Sequence, residues 1–193
     1  MIFELLHSSY PDGYGESLLS LEACKEHLKV DGEDEDFLIK ALRDASIQVI
    51  ELYCGIKLRS TPGLEWRAAC FPHRSMMALP LCVSPVTQIE AISWRDAAGD
   101  KVAGAPDAYR LSSRGDILPA YGAGWPVGAA GEVSVIFTAG YPADQAPPAL
   151  LAAVRLFLGH LYKNREAVTD RGTEAEIPFG VRQICAPFCR ILI

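Results

Sequence analysis

Leu38, Leu42, Ala45, Val49 and Leu52 recur at alternating four- and three-residue steps, which draws one apolar stripe along a helix of 3.6 residues per turn. Few other arrangements satisfy that spacing, so this stretch is committed to a helix that must pack on something. Glu33-Asp34-Glu35-Asp36 stands ahead of it, where exposed N–H groups favour carboxylates, and Gly55 after Cys54 supplies a stop. A shorter helix precedes it: Ser20 is a natural N-cap, Leu21, Cys24 and Leu28 share a face, and Val30-Asp31-Gly32 is expected to end it. The lead from Ser8 to Ser17 reads as polar connecting chain.

From about Thr61 to Ala146 the period changes. Pro and Gly break the chain into short runs rich in β-branched and aromatic residues, which predicts strands and turns. The expected strands are Leu64 to Cys70, Met76 to Leu81, Val86 to Arg95, Ala108 to Ser112 and Glu132 to Thr138, with a turn at Ala97 to Asp100. In the last strand, alternation puts Val133, Val135 and Phe137 on one face and Ile136 on the other, as a half-buried antiparallel sheet requires.

Pro147-Pro148 then sits where a helix can begin without losing an internal hydrogen bond. The helix is expected from Ala149 to Glu166, with Leu151, Val154, Leu158 and Leu161 on one stripe, broadened by Leu150, Phe157 and Tyr162. Such breadth predicts a central position or a subunit interface. A polar stretch follows, then Ile177-Pro178-Phe179-Gly180-Val181 and a tail closing on Phe188, Arg190, Ile191, Leu192 and Ile193. The fold class read from these patterns is α+β: a helical core of two N-terminal helices and one C-terminal helix (17–58 and 147–193), interrupted by a β-rich antiparallel module (60–146).

With 193 residues, half of them apolar, the chain can bury a core without staples. No run reaches the roughly 18 apolar residues of a membrane span, and the first residues lack a signal-peptide pattern, so a cytoplasmic protein with no membrane partner is expected. The six cysteines (Cys24, Cys54, Cys70, Cys82, Cys185, Cys189) are scattered and read as small buried hydrophobes in a reducing compartment. A net charge of −6 argues against coating DNA, which needs clustered cations. It is compatible with a pore that DNA slides through, whose wall must avoid gripping phosphates.

No catalytic constellation is present: neither a nucleophile elbow, nor a phosphate loop, nor an H-E-x-x-H helix, nor a C-x-x-C pair. The stretch Gly122 to Gly128 lacks dinucleotide-binding spacing and reads as a loop between strands. Cys70, His73 and Cys82 could be imagined in a small metal- or ligand-binding enzyme, but their spacing fits no common zinc site. His27 and His160 stand in helices with no second ligand at i+4, and Asp31 to Asp36 departs from a calcium loop. No catalytic residue, metal or cofactor is therefore expected.

Four pieces, in order, resemble the tailed-bacteriophage head–tail connector family, whose members are adaptor or head-completion proteins sometimes labelled DNA-packaging proteins. They are Leu19 to Asp36, the helix ending Glu51-Leu52-Tyr53-Cys54-Gly55, the strand end Phe137-Thr138-Ala139-Gly140-Tyr141-Pro142 with Leu161 to Glu166 after it, and Ile177 to Val181 before the tail. Cys24, Cys54, Cys185 and Cys189 depart from the family's residues, and the middle section is longer than in its all-helical members. Another tail-completion protein is the alternative within the same particle.

The resemblance implies a structural subunit with no catalytic role. It implies a ring of about a dozen copies beneath a phage portal protein, continuing the DNA channel and contacting neck or tail-completion proteins. DNA contact in the channel would be transient and non-specific, and the location is the virion neck, reached from the host bacterial cytoplasm during assembly. The residues expected to carry oligomer or portal contacts are Leu151, Val154, Leu158, Leu161, Phe188, Arg190, Ile191, Leu192 and Ile193.

Overall fold

The computed structural model describes residues 3–6, 10–72, 77–164 and 177–189. Its secondary structure is α+β, and among the described residues the chain divides into two units, one of 3–6, 10 and 60–141 and the other of 11–59 and 142–189.

The first unit is built on a five-stranded antiparallel sheet in the order β1-β2-β7-β3-β4: β1 Phe3–Leu6, β2 Thr61–Ala68, β7 Ala129–Ala139, β3 Val86–Asp96 and β4 Lys101–Gly104. Strands β5 (Tyr109–Leu111) and β6 (Ile117–Pro119) form a separate hairpin. Alternation sets the central strand as expected: Val133, Val135 and Phe137 are buried while Ile136 faces out. Val135 stands opposite Trp66 on one side and Ile92 on the other, so three strands place their largest side chains in one layer. Leu79, Leu81, Ile117 and Trp125 close this core.

Two sequence expectations change here. Of the strand expected from Met76 to Leu81, Met76 lies outside the described residues, and residues 77–81 form no strand but an isolated bridge from Leu79 to Ile117, through hydrogen bonds of 2.9 and 3.0 Å. Strands β1, β4 and β6, each of three or four residues, carry too few side chains for alternation to stand out. The expected turn at Ala97 to Asp100 is present, with Asp96 Oδ1 accepting from the Ala98 and Asp100 N–H groups at 2.9 and 3.0 Å.

Among the described residues the second unit holds five α-helices: α1 Tyr14–Leu18, α2 Leu21–Leu28, α3 Asp36–Cys54, α4 Pro148–Lys163 and α5 Phe179–Cys185. Helix α2 starts where Ser20 Oγ accepts from the Ala23 N–H at 3.2 Å. It stops at Lys29 in the left-handed conformation (φ 57°), directly ahead of the Val30-Asp31-Gly32 expected to end it. Helix α3 ends on Gly55, also left-handed, whose N–H reaches back to the carbonyls of Glu51 and Leu52. The acidic run ahead of α3 is held by side chains: Asp36 pairs with Lys25 at 2.8 Å and Glu35 accepts from the Tyr162 hydroxyl. Helix α4 begins at Pro148 as its sequence requires and ends at Lys163, capped by Asn164, short of the expected Glu166, which lies outside the described residues. Helices α1 and α5, of five and seven residues, stand where the sequence reads as a polar lead and as the approach to the tail, and are too short for periodicity to reveal.

Candidate docking surface

The buried face of α3 is not the all-aliphatic stripe. It is the neighbouring one, Ile39, Arg43, Ile47, Ile50 and Cys54, joined by Ser46 and Glu51. The two stripes differ by one residue, about 100° around the helix. Two buried charges explain the choice. Arg43 donates to Glu16 of α1, to Asp44 at 2.9 Å and to the Leu19 carbonyl at 3.2 Å. Glu51 accepts from the Lys57 ammonium at 2.9 Å, the Leu58 N–H at 2.7 Å and the Tyr14 hydroxyl. These partners fasten α1 and the segment after α3 to the inner face, and buried charges need them there. Burial alone would raise the Glu16 carboxyl, but the hydrogen bond and charge of Arg43 hold it below its ordinary value.

Leu38, Leu42, Ala45 and Val49 are consequently only half-buried, and Leu52 is 63% exposed. Phe37 and Tyr53, at the two ends of α3, add exposed aromatic surface. An apolar stripe that is half-buried along most of α3 and exposed at Leu52, with the exposed Phe37 and Tyr53 at the two ends of the helix, makes this face a candidate docking surface.

Helix α4 repeats the arrangement. Its buried residues are Leu150, Ala153, Val154, Phe157 and Leu158, so Val154 and Leu158, expected at an interface, lie inside their own unit. Leu151 and Leu161 are half-buried, and Leu156, which the stripe did not include, is 46% exposed. A groove of about 710 Å³ runs along α2, α4 and α5, lined by His27, Leu28, Leu156, His160, Tyr162 and Val181 among others. Phe179, at the start of α5, is 76% exposed. Phe188 is half-buried, and Arg190, Ile191, Leu192 and Ile193 lie outside the described residues.

In the sheet unit the loop between β6 and β7 carries Tyr121 and Val127, both almost fully exposed. Its base is fixed by Trp125, which stacks on Phe71 at 5.0 Å between ring centres and donates to the Met77 carbonyl at 3.1 Å. The Arg110 guanidinium lies 4.3 Å above the Tyr121 ring. The Gly-rich sequence is thus an anchored projecting loop.

Among the described residues, no group of three His, Cys, Asp or Glu is placed to hold a metal ion. His73 lies outside them, while Cys70 and Cys82 are both half-buried. Cys24, Cys54 and Cys185 are buried, and burial pushes the Cys24 thiol up to about 11. Among the described residues no helix is long and apolar enough to cross a membrane.

Residues 19–78 match the family described as phage gp6-like head–tail connector protein. No curated protein matches the chain. Solved structures that resemble it over its length include three from gene transfer agent particles. A chain in the neck of an empty gene transfer agent particle, computed with C6 symmetry, is 25% identical, with a TM-score of 0.71 over 100% of this chain and 97% of that one. A chain in the neck of the native particle, computed with C12 symmetry, gives 25% identity and a TM-score of 0.70 over 98% and 97%. A chain in the virion of the native particle gives 25% and 0.69 over 100% and 97%.

Proposed function

We propose that this chain, a head–tail connector protein by its matched N-terminal segment and its full-length likeness to neck proteins, is a structural subunit of a ring in the neck of a tailed-phage-like particle. The observation that carries the reading is the end-to-end match to the neck chains, which takes in both units. Its role is mechanical rather than catalytic: it joins head to tail.

At finer detail, about a dozen copies sit beneath the portal protein and contact neck or tail-completion proteins on the far side. A closed ring needs two different, mutually complementary patches on each copy. The outer stripe of α3 and the groove along α4 and α5 are the apolar surfaces the helical unit offers. Leu151, Leu161 and Phe188 contribute to these contacts together with Arg190, Ile191, Leu192 and Ile193. The net charge of −6 suits a channel in which DNA contact is transient and non-specific, since a basic wall would grip phosphates. Assembly takes place in the host bacterial cytoplasm.

Deleting Phe188 to Ile193 tests the docking role of the tail. The truncated chain is expected to keep its helical circular dichroism and to stop co-sedimenting with the portal protein of the same genome. Unchanged co-sedimentation removes the tail from the interface, and loss of the helical signal assigns it to the core.

A further inference from the structure

Three of the six cysteines meet at one end of the helical unit. Cys54 is the last residue of α3, Cys185 the last of α5, and Cys189 follows four residues later. The Cys54 and Cys189 sulfurs are 3.9 Å apart, in contact but unbonded. Cys189 Sγ also lies 3.4 Å from the Cys185 carbonyl and 3.8 Å from that of Tyr53, while Cys54 Sγ lies 4.0 Å from the Cys185 carbonyl. Cys54 and Cys185 are fully buried, whereas Cys189 is partly open to solvent.

We propose that Cys54 and Cys189 are a disulfide-forming pair, which closes under oxidising conditions and pins the segment after α5 to the end of α3. A disulfide needs its sulfurs at about 2.05 Å, so the present separation must shrink by roughly 2 Å. Cys189 follows the last helical turn instead of lying within one, and its backbone is extended. The pair is also ordered for the chemistry. A dissolved disulfide such as oxidised glutathione can reach Cys189: its thiolate attacks one glutathione sulfur, forming a mixed disulfide and releasing one glutathione thiolate. The Cys54 thiolate then attacks Cys189 Sγ and displaces the second. Two protein thiols become one disulfide, one glutathione disulfide becomes two glutathione thiols, and the two protein protons go to them.

The thiol of Cys54 is pushed up by its contact with Cys185 and by burial, so the second step quickens as pH rises. In a reducing cytoplasm the pair stays open. On the connector reading, closure would fix the docking tail once a particle leaves the cell; the bond itself does not depend on that reading.

The test uses the full chain, natively folded, with excess oxidised glutathione at mildly alkaline pH. Remaining thiols are then alkylated, and the protein is digested without reduction and analysed by mass spectrometry. The expected product is a monomer that has lost two hydrogen atoms and yields a peptide pair joined through Cys54 and Cys189. Cys189→Ser, at a half-exposed position, is expected to keep the native circular dichroism and lose the crosslink, while Cys185→Ser keeps it. A Cys54–Cys185 bond, a glutathione adduct that persists on Cys189, disulfide-linked dimers, or six free thiols would each overturn the proposal. None of these readouts involves ring formation, so the connector reading can fail or stand separately.

Discussion

Lys57 and Glu51 form an ion pair inside the helical unit: Nζ lies 2.9 Å from Oε2, with the side chains 9% and 2% exposed. Glu51 also takes the Tyr14 hydroxyl and the Leu58 N–H, so one carboxylate holds α1, α3 and the chain after α3 together. Removing one member of such a pair leaves the other charge buried, at a cost of about 3–5 kcal/mol. Lys57→Met is therefore expected to lower stability by that order in urea denaturation. The double variant Lys57→Met with Glu51→Gln should recover part of the loss, because no uncompensated charge remains.

The two stripes of α3 can be separated by substitution. Ile47, on the inner stripe, is almost fully buried, and Ile47→Ala should cost about 2–5 kcal/mol through lost contacts and a cavity. Leu52, on the outer stripe, touches mostly solvent, and Leu52→Asp should change monomer stability by no more than about 0.5 kcal/mol. The same Leu52→Asp variant is expected to impair self-association, read by sedimentation velocity at high concentration. If it assembles like the parent, the outer stripe is not an interface.

Edge strand β4 fits against the sheet because residue 104 has no side chain. A Cβ on Gly104 would stand 2.7 Å from a Trp94 ring carbon and 2.8 Å from Ile92 Cγ2. Gly104→Ala should overpack this contact and cost about 1–3 kcal/mol, with altered Trp fluorescence as an independent sign.

On the outer face of the sheet, Glu65 is held below its ordinary value first by the hydrogen bond from Arg67 at 2.7 Å, and also by Ser134 at 2.9 Å. A carboxyl whose folded value is depressed adds stability above its unfolded value, and that stability disappears as pH falls through the folded value. Acid titration of stability should therefore show a contribution from Glu65 that is complete at neutral pH and fades below about 4.5. Glu65→Gln should flatten this part of the profile, and added salt should weaken it because the pair is partly exposed.

The sequence revealed the long elements and hid the choice of face. Helix α3, helix α4 and strand β7 each repeat their period often enough to be read directly. The inner stripe of α3 was obscured because Arg43, Ser46 and Glu51 interrupt it. Hydrophobicity alone therefore selects Leu38 to Leu52, whereas the hydrogen bonds of Arg43 and Glu51 decide which stripe turns inward. Val154 and Leu158, expected at an interface, are buried within their own unit for a related reason: α4 is apolar on several sides, and its pattern does not say which side meets α3. The closeness of Cys54 to Cys189 is invisible in sequence, since 135 positions separate them.

The central claim is that copies of this chain close into a ring on a portal. Negative-stain microscopy of the concentrated protein, alone and mixed with the portal protein from the same genome, tests it most directly. The account predicts rings of about twelve copies, or an added layer on the portal with the same symmetry. Isolated single copies beside bare portals, at concentrations where both proteins are folded, would contradict it.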